Sequence, residues 1–238
     1  MSSYIKDYTK LYHLQDKFLS WWANHKFPFY LTGGTALGRF YLNHRFSEDL
    51  DFFISAESDY RKYISELKNS LTAHFDVNIQ QSLVTDDFSR FFLAENDMFL
   101  KVEFVDDPVF YVGEPETFKY GIIDNPLNIL SNKLTALVGR DEPKDIFDII
   151  HISLNYSFNW MKMFSYAKQK SVINELDVEQ RLVSFPLEWF ESVNWLFSPL
   201  DMGFYGSCLK QIADDFLLGK ENSLGTKKGS IEKTKPLM

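Results

Sequence analysis

Two short strand-like runs, joined by a glycine pair and a short helical run, constrain the fold of this 238-residue chain most strongly. Residues 29–31 are apolar, Gly33 and Gly34 follow them, and residues 35–43 suit a short helix. In residues 49–55, apolar side chains alternate with others, as in a strand with one buried face. This order, continued by a further helix and three strands, predicts an α+β fold with a mixed sheet. The continuing elements are a helix at residues 59–74 and strands at 75–80, 88–94 and 98–105.

The second half of the chain has a helical pattern, in which apolar residues recur every three or four positions. Pro126 suits the first turn of a helix, and Gly139 suits its end. Asp141 can cap a second helix that has Pro143 in its first turn. Further helices are predicted at residues 159–175, 188–197 and 206–218.

These patterns divide the chain into four segments. An N-terminal amphipathic helix is predicted at residues 1–24, a sheet-bearing domain at 25–123 and a helical domain at 124–218. Residues 219–238 are rich in Lys, Ser and Gly and nearly free of apolar side chains, so we expect a disordered tail there.

The bulk composition argues against several classes of protein. Cys208 is the single cysteine, so an intrachain disulfide is excluded, and no apolar run reaches the roughly 18 residues of a membrane span. The first ten residues lack the basic-then-apolar order of a signal peptide, so we expect a cytoplasmic protein without a membrane partner. A net charge of −8 argues against broad nonspecific binding to nucleic acid, although it leaves room for a local basic groove.

Three acidic residues form a candidate metal site. Asp49 and Asp51 are two positions apart in a strand-like run, so their side chains share one face. Two acids that point the same way repel each other, and a divalent cation between them relieves this repulsion. Magnesium, or manganese in its place, suits such oxygen ligands together with substrate phosphates. Glu103, in an alternating strand whose same face also carries Lys101, is the candidate for a third acid and general base.

The glycine pair is the candidate phosphate-binding element. Gly33 and Gly34 allow the backbone to approach a ligand closely, and the helix that follows directs free N–H groups towards it. Thr35 adds a hydroxyl group, and Arg45 and Ser47 stand just before the acids. These five residues are therefore candidates for binding the nucleotide.

Each of these features also has an ordinary structural explanation. An isolated Asp-x-Asp pair often belongs to a solvated strand face, so the case for a site depends on the order strand, glycine pair, helix and acidic strand. Arg45 can pair with Glu48 or Asp49, or it can contact phosphate, and the sequence leaves both open. Lys144 and Asp148 are four positions apart, where a surface ion pair is worth only about 0.2–0.5 kcal/mol.

Five motifs carry a resemblance to a known family. They are Gly33-Gly-Thr-Ala-Leu37, His44-Arg-Phe-Ser-Glu-Asp-Leu-Asp-Phe-Phe53, Lys101-Val-Glu103, Asn132-Lys-Leu-Thr-Ala-Leu137 and Gly139-Arg-Asp-Glu-Pro-Lys-Asp-Ile-Phe-Asp148. Together they resemble the nucleotidyltransferase AbiEii toxin family of the DNA polymerase β superfamily. The resemblance covers roughly residues 25–155 and implies a polymerase-β-like nucleotidyltransferase domain at 25–123, followed by the helical domain.

The resemblance also implies roles for individual residues. Gly33 and Gly34 would hold the triphosphate, and Asp49 and Asp51 would bind the metal. Glu103 matches the place of a third acid, where Asp is common across the superfamily.

In the helical domain, the resemblance adds a basic residue and an acidic stretch. Lys133 matches a lysine of the first helix that is suited to contacting the triphosphate. Lys144, Asp145 and Asp148 match a Lys-Asp-x-x-Asp stretch of the family. Lys133, Lys144 and Asp148 extend the set of candidate nucleotide-binding positions.

The predicted activity is transfer of a nucleoside monophosphate from a nucleoside triphosphate to an acceptor hydroxyl, with release of pyrophosphate. By resemblance, the chain would be the toxin of a toxin–antitoxin or phage-defence pair, with an antitoxin protein as partner. RNA, including the 3′ end of tRNA, is the first acceptor to consider, and a protein hydroxyl is the second. Two other functions stay open: a noncatalytic nucleotide-binding or regulatory protein of the same fold, and a small-molecule nucleotidyltransferase of the kind that modifies antibiotics.

Overall fold

The computed structural model describes residues 7–55 and 59–225, which form two compact units. The sheet unit contains residues 7–36, 46–55, 59–109 and 114–125, and the helical unit contains 37–45, 110–113 and 126–225. The chain therefore passes between the units several times, whereas the sequence predicted a single boundary at residues 123–124. Residues 37–45 belong to the helical unit because their last two side chains are ion-paired within it, as described below.

The sheet unit is built on an eight-stranded sheet. The strand order is β3-β5-β6-β2-β1-β8-β7, and β4 pairs with β5. Because the β2–β6 and β1–β8 pairs are parallel and the other pairs are antiparallel, the predicted α+β fold with a mixed sheet is confirmed. The strands are β1 (Tyr30–Thr32), β2 (Leu50–Ile54), β3 (Asp76–Val77), β4 (Leu83–Val84), β5 (Phe88–Glu95), β6 (Met98–Asp106), β7 (Glu116–Phe118) and β8 (Gly121–Ile123).

Three helical elements accompany this sheet: α1 (Tyr8–Trp22), the short α2 (Gly33–Thr35) and α3 (Tyr60–His74). Asp7 caps α1, because its side chain accepts hydrogen bonds from the first free N–H groups of the helix. The helix predicted over residues 1–24 is thus observed from Tyr8 to Trp22, and residues 1–6 lie outside the described part of the chain.

One face of the sheet forms the apolar core of this unit. Alternate residues of β2, β5 and β6 are buried, and α1 packs against β6. The rings of Phe18 and Trp22 on α1 contact Phe52 and Phe104 of the sheet, and such aromatic contacts bury large apolar areas. The opposite face therefore carries the polar residues of the same strands.

The helical unit consists mainly of five α-helices. They are α4 (Pro126–Gly139), α5 (Pro143–Asn155), α6 (Trp160–Lys170), α7 (Glu175–Val183) and α8 (Met202–Leu217). A π-helical segment (Ala36–Leu42) leads into this unit, and a 3₁₀ turn (Leu187–Ser192) precedes α8. Within the described residues, no helix combines the length and apolar character needed to cross a membrane.

Several helix ends differ from those predicted. Glu142, rather than Asp141, precedes α5 as its cap residue, because the Asp141 carboxylate instead pairs with Arg181. The helix predicted over residues 159–175 ends at Lys170, and Asn174 caps a further helix, α7, by accepting from the backbone N–H of Asp177. The sequence pattern missed α7 because this nine-residue helix buries only Val178 and Leu182, too few to give a recognisable apolar period.

The first residues of the predicted disordered tail are folded. The backbone N–H of Trp160 donates to the carbonyl of Lys220, and Asn222 Nδ2 donates to backbone carbonyls of the α5 end at 2.7 Å. The Ser223 hydroxyl donates to Asp215 of α8 at 2.6 Å. Residues 219–225 are therefore part of the folded helical unit, and residues 226–238 lie outside the described residues.

Candidate active site

The polar face of β2 and β6 carries the acids that the sequence singled out. Leu50, Phe52 and Ile54 of β2 are buried on the core side, and Asp51 and Phe53 lie on the other side. Parallel pairing of β2 with β6 sets Asp51 beside Glu103, and antiparallel pairing with β1 sets it beside Thr32. Asp49 directly precedes β2. The structure therefore brings Asp51 and Glu103 to adjacent positions on one face of the sheet.

Gly33 lies directly against Asp51. Its φ of +69° falls in the left-handed region that favours glycine. A Cβ atom at this position would lie 2.7 Å from Asp51 Oδ2, which is too close for any side chain. Gly34 follows within α2 and is half-buried. The glycine turn and the acidic strand are therefore neighbours, as their order in the sequence predicted.

The loop that leads to Asp49 is held by hydrogen bonds from two sides. The Thr35 hydroxyl donates to the Asp49 carbonyl and lies 2.9 Å from the Ser47 hydroxyl. From α1, Gln15 Nε2 donates to the Ser47 carbonyl at 3.1 Å, and Tyr12 Oη accepts from the Ser47 N–H at 3.0 Å. Thr35 and Ser47, which we expected to bind nucleotide, are buried, and in this structure their hydroxyls fix the backbone beside Asp49.

Two cations lie among the three acids. Lys101 Nζ is 3.0 Å from Asp49 Oδ2 and 3.3 Å from Glu103 Oε2. Arg90, opposite Glu103 on β5, donates from Nε to Glu103 Oε1 at 2.6 Å. Alternation along β6 predicts Lys101 on this face from the sequence, whereas Arg90 is placed here only by the register of β5 with β6.

The Lys101 ammonium group is stabilised in its charged form. Burial alone would lower its pKa, but the attraction of Asp49 and the hydrogen bond to that carboxylate, together with the attraction of Glu103 and Asp51, raise the pKa above its ordinary value. Lys101 is therefore a fixed positive charge between two of the candidate acids at neutral pH.

The donor set suits a divalent metal in part. Asp49 and Asp51 offer carboxylate oxygens, which are the ligands that magnesium and manganese prefer. Both carboxylate oxygens of Glu103, by contrast, face the cations Arg90 and Lys101. Among residues 7–55 and 59–225, no three His, Cys, Asp or Glu side chains lie close enough together to hold a metal ion. The two aspartates thus fit a metal by their chemistry, while Asp49 and Glu103 are both ion-paired with Lys101 in this structure.

A buried ion network lies within the helical unit. Arg45 donates to both oxygens of Asp148, from Nε and Nη2, at 2.7 Å each. His44 Nε2 lies 2.8 Å from the same carboxylate. Lys133 Nζ is 2.7 Å from Asp145 Oδ1 and 2.8 Å from Asp148 Oδ2. Because Arg45 is 1% exposed and Asp148 is fully buried, these charges depend on one another for stabilisation.

The network holds both of its aspartates ionised. Burial alone would raise the pKa of Asp148, but Arg45 and Lys133 hold it well below its usual range. Burial would likewise raise the pKa of Asp145, whereas Lys133 and Arg140, which donates from Nε at 2.7 Å, lower it. The same carboxylates raise the pKa of Lys133 against the effect of its burial.

This network corrects two expectations. Arg45 pairs with Asp148, a partner that the sequence did not suggest. The surface pair considered for Lys144 and Asp148 is wrong, because Asp148 is fully buried and bonded to Arg45. The one candidate of this region outside the network, Lys144, lies half-buried in the first turn of α5.

Comparison with known families identifies this protein as a nucleotidyltransferase and specifies its family. A family model described as "Nucleotidyl transferase AbiEii toxin, Type IV TA system" matches residues 21–163. Since this match covers more than half of the chain, the protein belongs to that family. Nucleotidyltransferases of this family generally use divalent metals, and membership implies a nucleotide substrate and an antitoxin partner.

Two solved structures share the fold. JHP933 from Helicobacter pylori matches with a TM-score of 0.56 and 22% identity, covering 91% of this chain and 96% of its own. MenT4, nucleotidyltransferase toxin Rv2826c from Mycobacterium tuberculosis H37Rv, matches with a TM-score of 0.58 and 17% identity, covering 89% of this chain and 84% of its own. At these identities the likeness establishes a common fold. None of the curated proteins matches the chain.

Proposed function

We propose that this toxin transfers a nucleoside monophosphate from a nucleoside triphosphate to an acceptor hydroxyl and releases pyrophosphate. The observation that carries the proposal is the contact between Gly33 and Asp51, where a Cβ atom would lie 2.7 Å from the carboxylate. This contact puts a glycine turn next to an acid suited to a metal. Gly33 and Gly34 would bind the triphosphate through their N–H groups.

Asp49 and Asp51 would hold magnesium, or manganese in its place. The metal supplies Lewis-acid chemistry when bound, since it stabilises charge on the α-phosphate and lowers the pKa of the acceptor hydroxyl. Thr35 and Ser47 support the site by fixing the backbone of Asp49. Glu103 would serve as the third acid, and its register with Asp51 supports this role. Its two ion pairs mean that the role requires at least one cation to move away.

In the helical unit, we propose that the buried ion network holds neighbouring segments in position. Arg45 and Asp148 bind each other through two hydrogen bonds and are inaccessible, so they fix α5 and the segment that follows α2. Lys133 is ion-paired with Asp145 and Asp148, and its proposed contact with the triphosphate rests on the family motif alone. Lys144 stands outside this network, and we propose it as a direct contact to phosphate.

RNA, including the 3′ end of tRNA, is the acceptor that the sheet face favours over a protein hydroxyl. Phe99 shares the alternating face of Lys101 and Glu103 and is 51% exposed. The Arg90 guanidinium group lies 5.2 Å from the ring centroid of Phe88 on the adjacent strand. Exposed aromatic rings beside basic side chains are the features on which unpaired bases stack.

The test is incubation of the purified protein with each labelled nucleoside triphosphate, magnesium or manganese, and total RNA or total protein. Label covalently attached to RNA supports the proposal with RNA as acceptor. Label covalently attached to protein supports nucleotide transfer with a protein hydroxyl as the acceptor. Labelled nucleotide that binds without any covalent product, on RNA, protein or a panel of small-molecule acceptors, rejects the enzymatic proposal.

Binding of nucleotide without any covalent product would favour a noncatalytic nucleotide-binding protein. One observation supports this alternative. Lys101 and Arg90 neutralise part of the acidic cluster in the described structure, so the acids have a role without metal. Intact Asp49 and Asp51 favour the enzyme. In either case, the proposed location is the cytoplasm, where an antitoxin would bind the toxin.

Replacing Gly33 with alanine is expected to impair transfer much more than folding. The new methyl group would meet Asp51 Oδ2 at 2.7 Å, and the left-handed backbone would cost a further 1–2 kcal/mol or so. The carboxylate must then shift from its place beside the glycine turn. The measurement is the rate of label transfer together with the melting temperature.

Gly139→Ala is the matched control for this substitution. No atom lies within 4 Å of a Cβ at Gly139, which ends α4. This variant should keep wild-type transfer. Unchanged transfer by Gly33→Ala would show that the contact between the turn and Asp51 is not needed for the reaction.

A further inference from the structure

Lys101 lies where the proposed metal-binding acids come together. Its Nζ is 3.0 Å from Asp49 Oδ2 and 3.3 Å from Glu103 Oε2, and Asp51 adds to the attraction. Three carboxylates on one sheet face repel one another unless a cation lies among them. In this structure Lys101 supplies that cation, and Arg90 neutralises the far oxygen of Glu103.

We propose that Lys101 is a built-in competitor of the divalent metal. Its ammonium group neutralises Asp49 and Glu103 in the metal-free protein, and metal binding requires Lys101 to leave Asp49. The inference rests on the proposed function, in which Asp49 is a metal ligand. It assigns Lys101 a regulatory role at the same site.

The two basic residues differ in their capacity to move. Arg90 binds Glu103 through a planar guanidinium group from the neighbouring strand, at 2.6 Å. Lys101 holds its acids by a single charge at the end of a flexible four-carbon chain. Lys101 is therefore the cation that exchanges, and Arg90 keeps Glu103 in place while it does so.

Replacement of Lys101 by a metal ion at Asp49 couples metal binding to nucleotide binding. Once Lys101 leaves Asp49, its ammonium group needs another anion, and the phosphate groups of a bound triphosphate provide one. A metal that arrives without nucleotide must displace Lys101 uncompensated, so it binds weakly. When metal binds together with a triphosphate, displacing Lys101 costs less free energy because the phosphate groups can pair with its ammonium group.

Binding of Mn²⁺ to the full chain without nucleotide, measured by isothermal titration calorimetry, tests this competition. Lys101→Met should bind Mn²⁺ at least about tenfold more tightly than wild type, because a positive charge a few ångströms from the metal is removed. Lys101→Arg, which keeps the charge, should stay within a few-fold of wild type. Lys68→Met removes the same charge from an exposed position on α3 and is the control for net charge.

A second measurement uses the wild-type protein alone, and so does not depend on a variant that folds. Acetylation of lysines by acetic anhydride, followed by peptide mass spectrometry, reports how accessible each ammonium group is. Mn²⁺ should increase the labelling of Lys101 several-fold as it leaves Asp49, while labelling of Lys68 stays constant.

The outcomes separate this inference from the proposed function. Equal or weaker Mn²⁺ binding by Lys101→Met, or Lys101 labelling that does not rise with Mn²⁺, overturns the competition while leaving nucleotide transfer possible. Absence of Mn²⁺ binding to every variant overturns both the competition and the metal role of Asp49. Tighter binding by Lys101→Met in a protein that lacks transfer supports the competition and rejects the enzymatic proposal.

Discussion

Replacing Asp51 with asparagine is expected to lower the rate of nucleotide transfer at least about 10³-fold. The proposed metal supplies several kcal/mol of transition-state stabilisation, and each 1.36 kcal/mol or so corresponds to a factor of ten in rate. Asparagine has nearly the same shape as aspartate, so it fits beside Gly33 and retains the packing of β2. The fold should therefore survive while the reaction fails.

The measurement compares label transfer with the circular dichroism spectrum and melting temperature of the same preparation. Asp97→Asn removes an equal charge from a side chain that is 72% exposed and pairs only loosely with Lys10, at 3.8 Å. This control should transfer at the wild-type rate. If Asp51→Asn retained most of the wild-type rate, Asp51 would have no place in the reaction centre.

Replacing Asp148 with asparagine is expected to destabilise the helical unit by about 3–5 kcal/mol, the usual cost of leaving buried charge without its partner. The substitution leaves the Arg45 guanidinium group without the carboxylate that accepts both of its hydrogen bonds. Lys133 retains only Asp145. Urea unfolding measures the loss in the free energy of unfolding. Hydrogen exchange of the α4 and α5 amides shows whether the loss lies in those helices.

Asp141→Asn provides the comparison in the same unit. Asp141 pairs with Arg181 at the surface, where the two side chains are 56% and 41% exposed, so its removal should cost only about 0–1 kcal/mol. Equal stabilities for the two variants would show that the buried network contributes no more than a surface ion pair.

The effect of Asp148→Asn should also depend on pH. Arg45 and Lys133 outweigh burial and hold the pKa of Asp148 well below its value in the unfolded chain, which is about 3.9. Because the folded state favours the carboxylate, its contribution is present above that unfolded-state pKa and is lost as the pH falls towards the lower folded-state pKa. The stability difference between wild type and Asp148→Asn should therefore be constant near neutral pH and shrink below about pH 4.

The site-bearing strand could be predicted from sequence because its information is local. Alternation along β2 assigns the buried and polar sides, so the facing of Asp51 follows from the residues beside it. The turn at Gly33 follows in the same way, since a glycine between a strand and a helix marks a backbone that other residues cannot adopt. The end of α4 at Gly139 is a third example.

The partners of the basic residues could not be predicted, because they depend on packing between distant segments. Arg45 and Asp148 are 103 residues apart, and a nearby acid such as Asp49 offered an equally plausible partner in the sequence. Arg90 faces Glu103 only through the register of β5 with β6. Thr35 and Ser47 show the same limit, since hydroxyls beside a phosphate-binding turn can bond to backbone as readily as to a ligand.

The wide separation of Arg45 and Asp148 along the chain has a consequence for synthesis on the ribosome. At about 5–20 residues per second, the carboxylate is made roughly 5–20 s after the guanidinium group that it neutralises. During that interval residues 37–45 lack the helices with which they form a unit. A nascent fragment that ends before α5 therefore cannot close its helical unit, and truncation at residue 125 would remove this unit's centre while leaving behind two of its parts, residues 37–45 and 110–113.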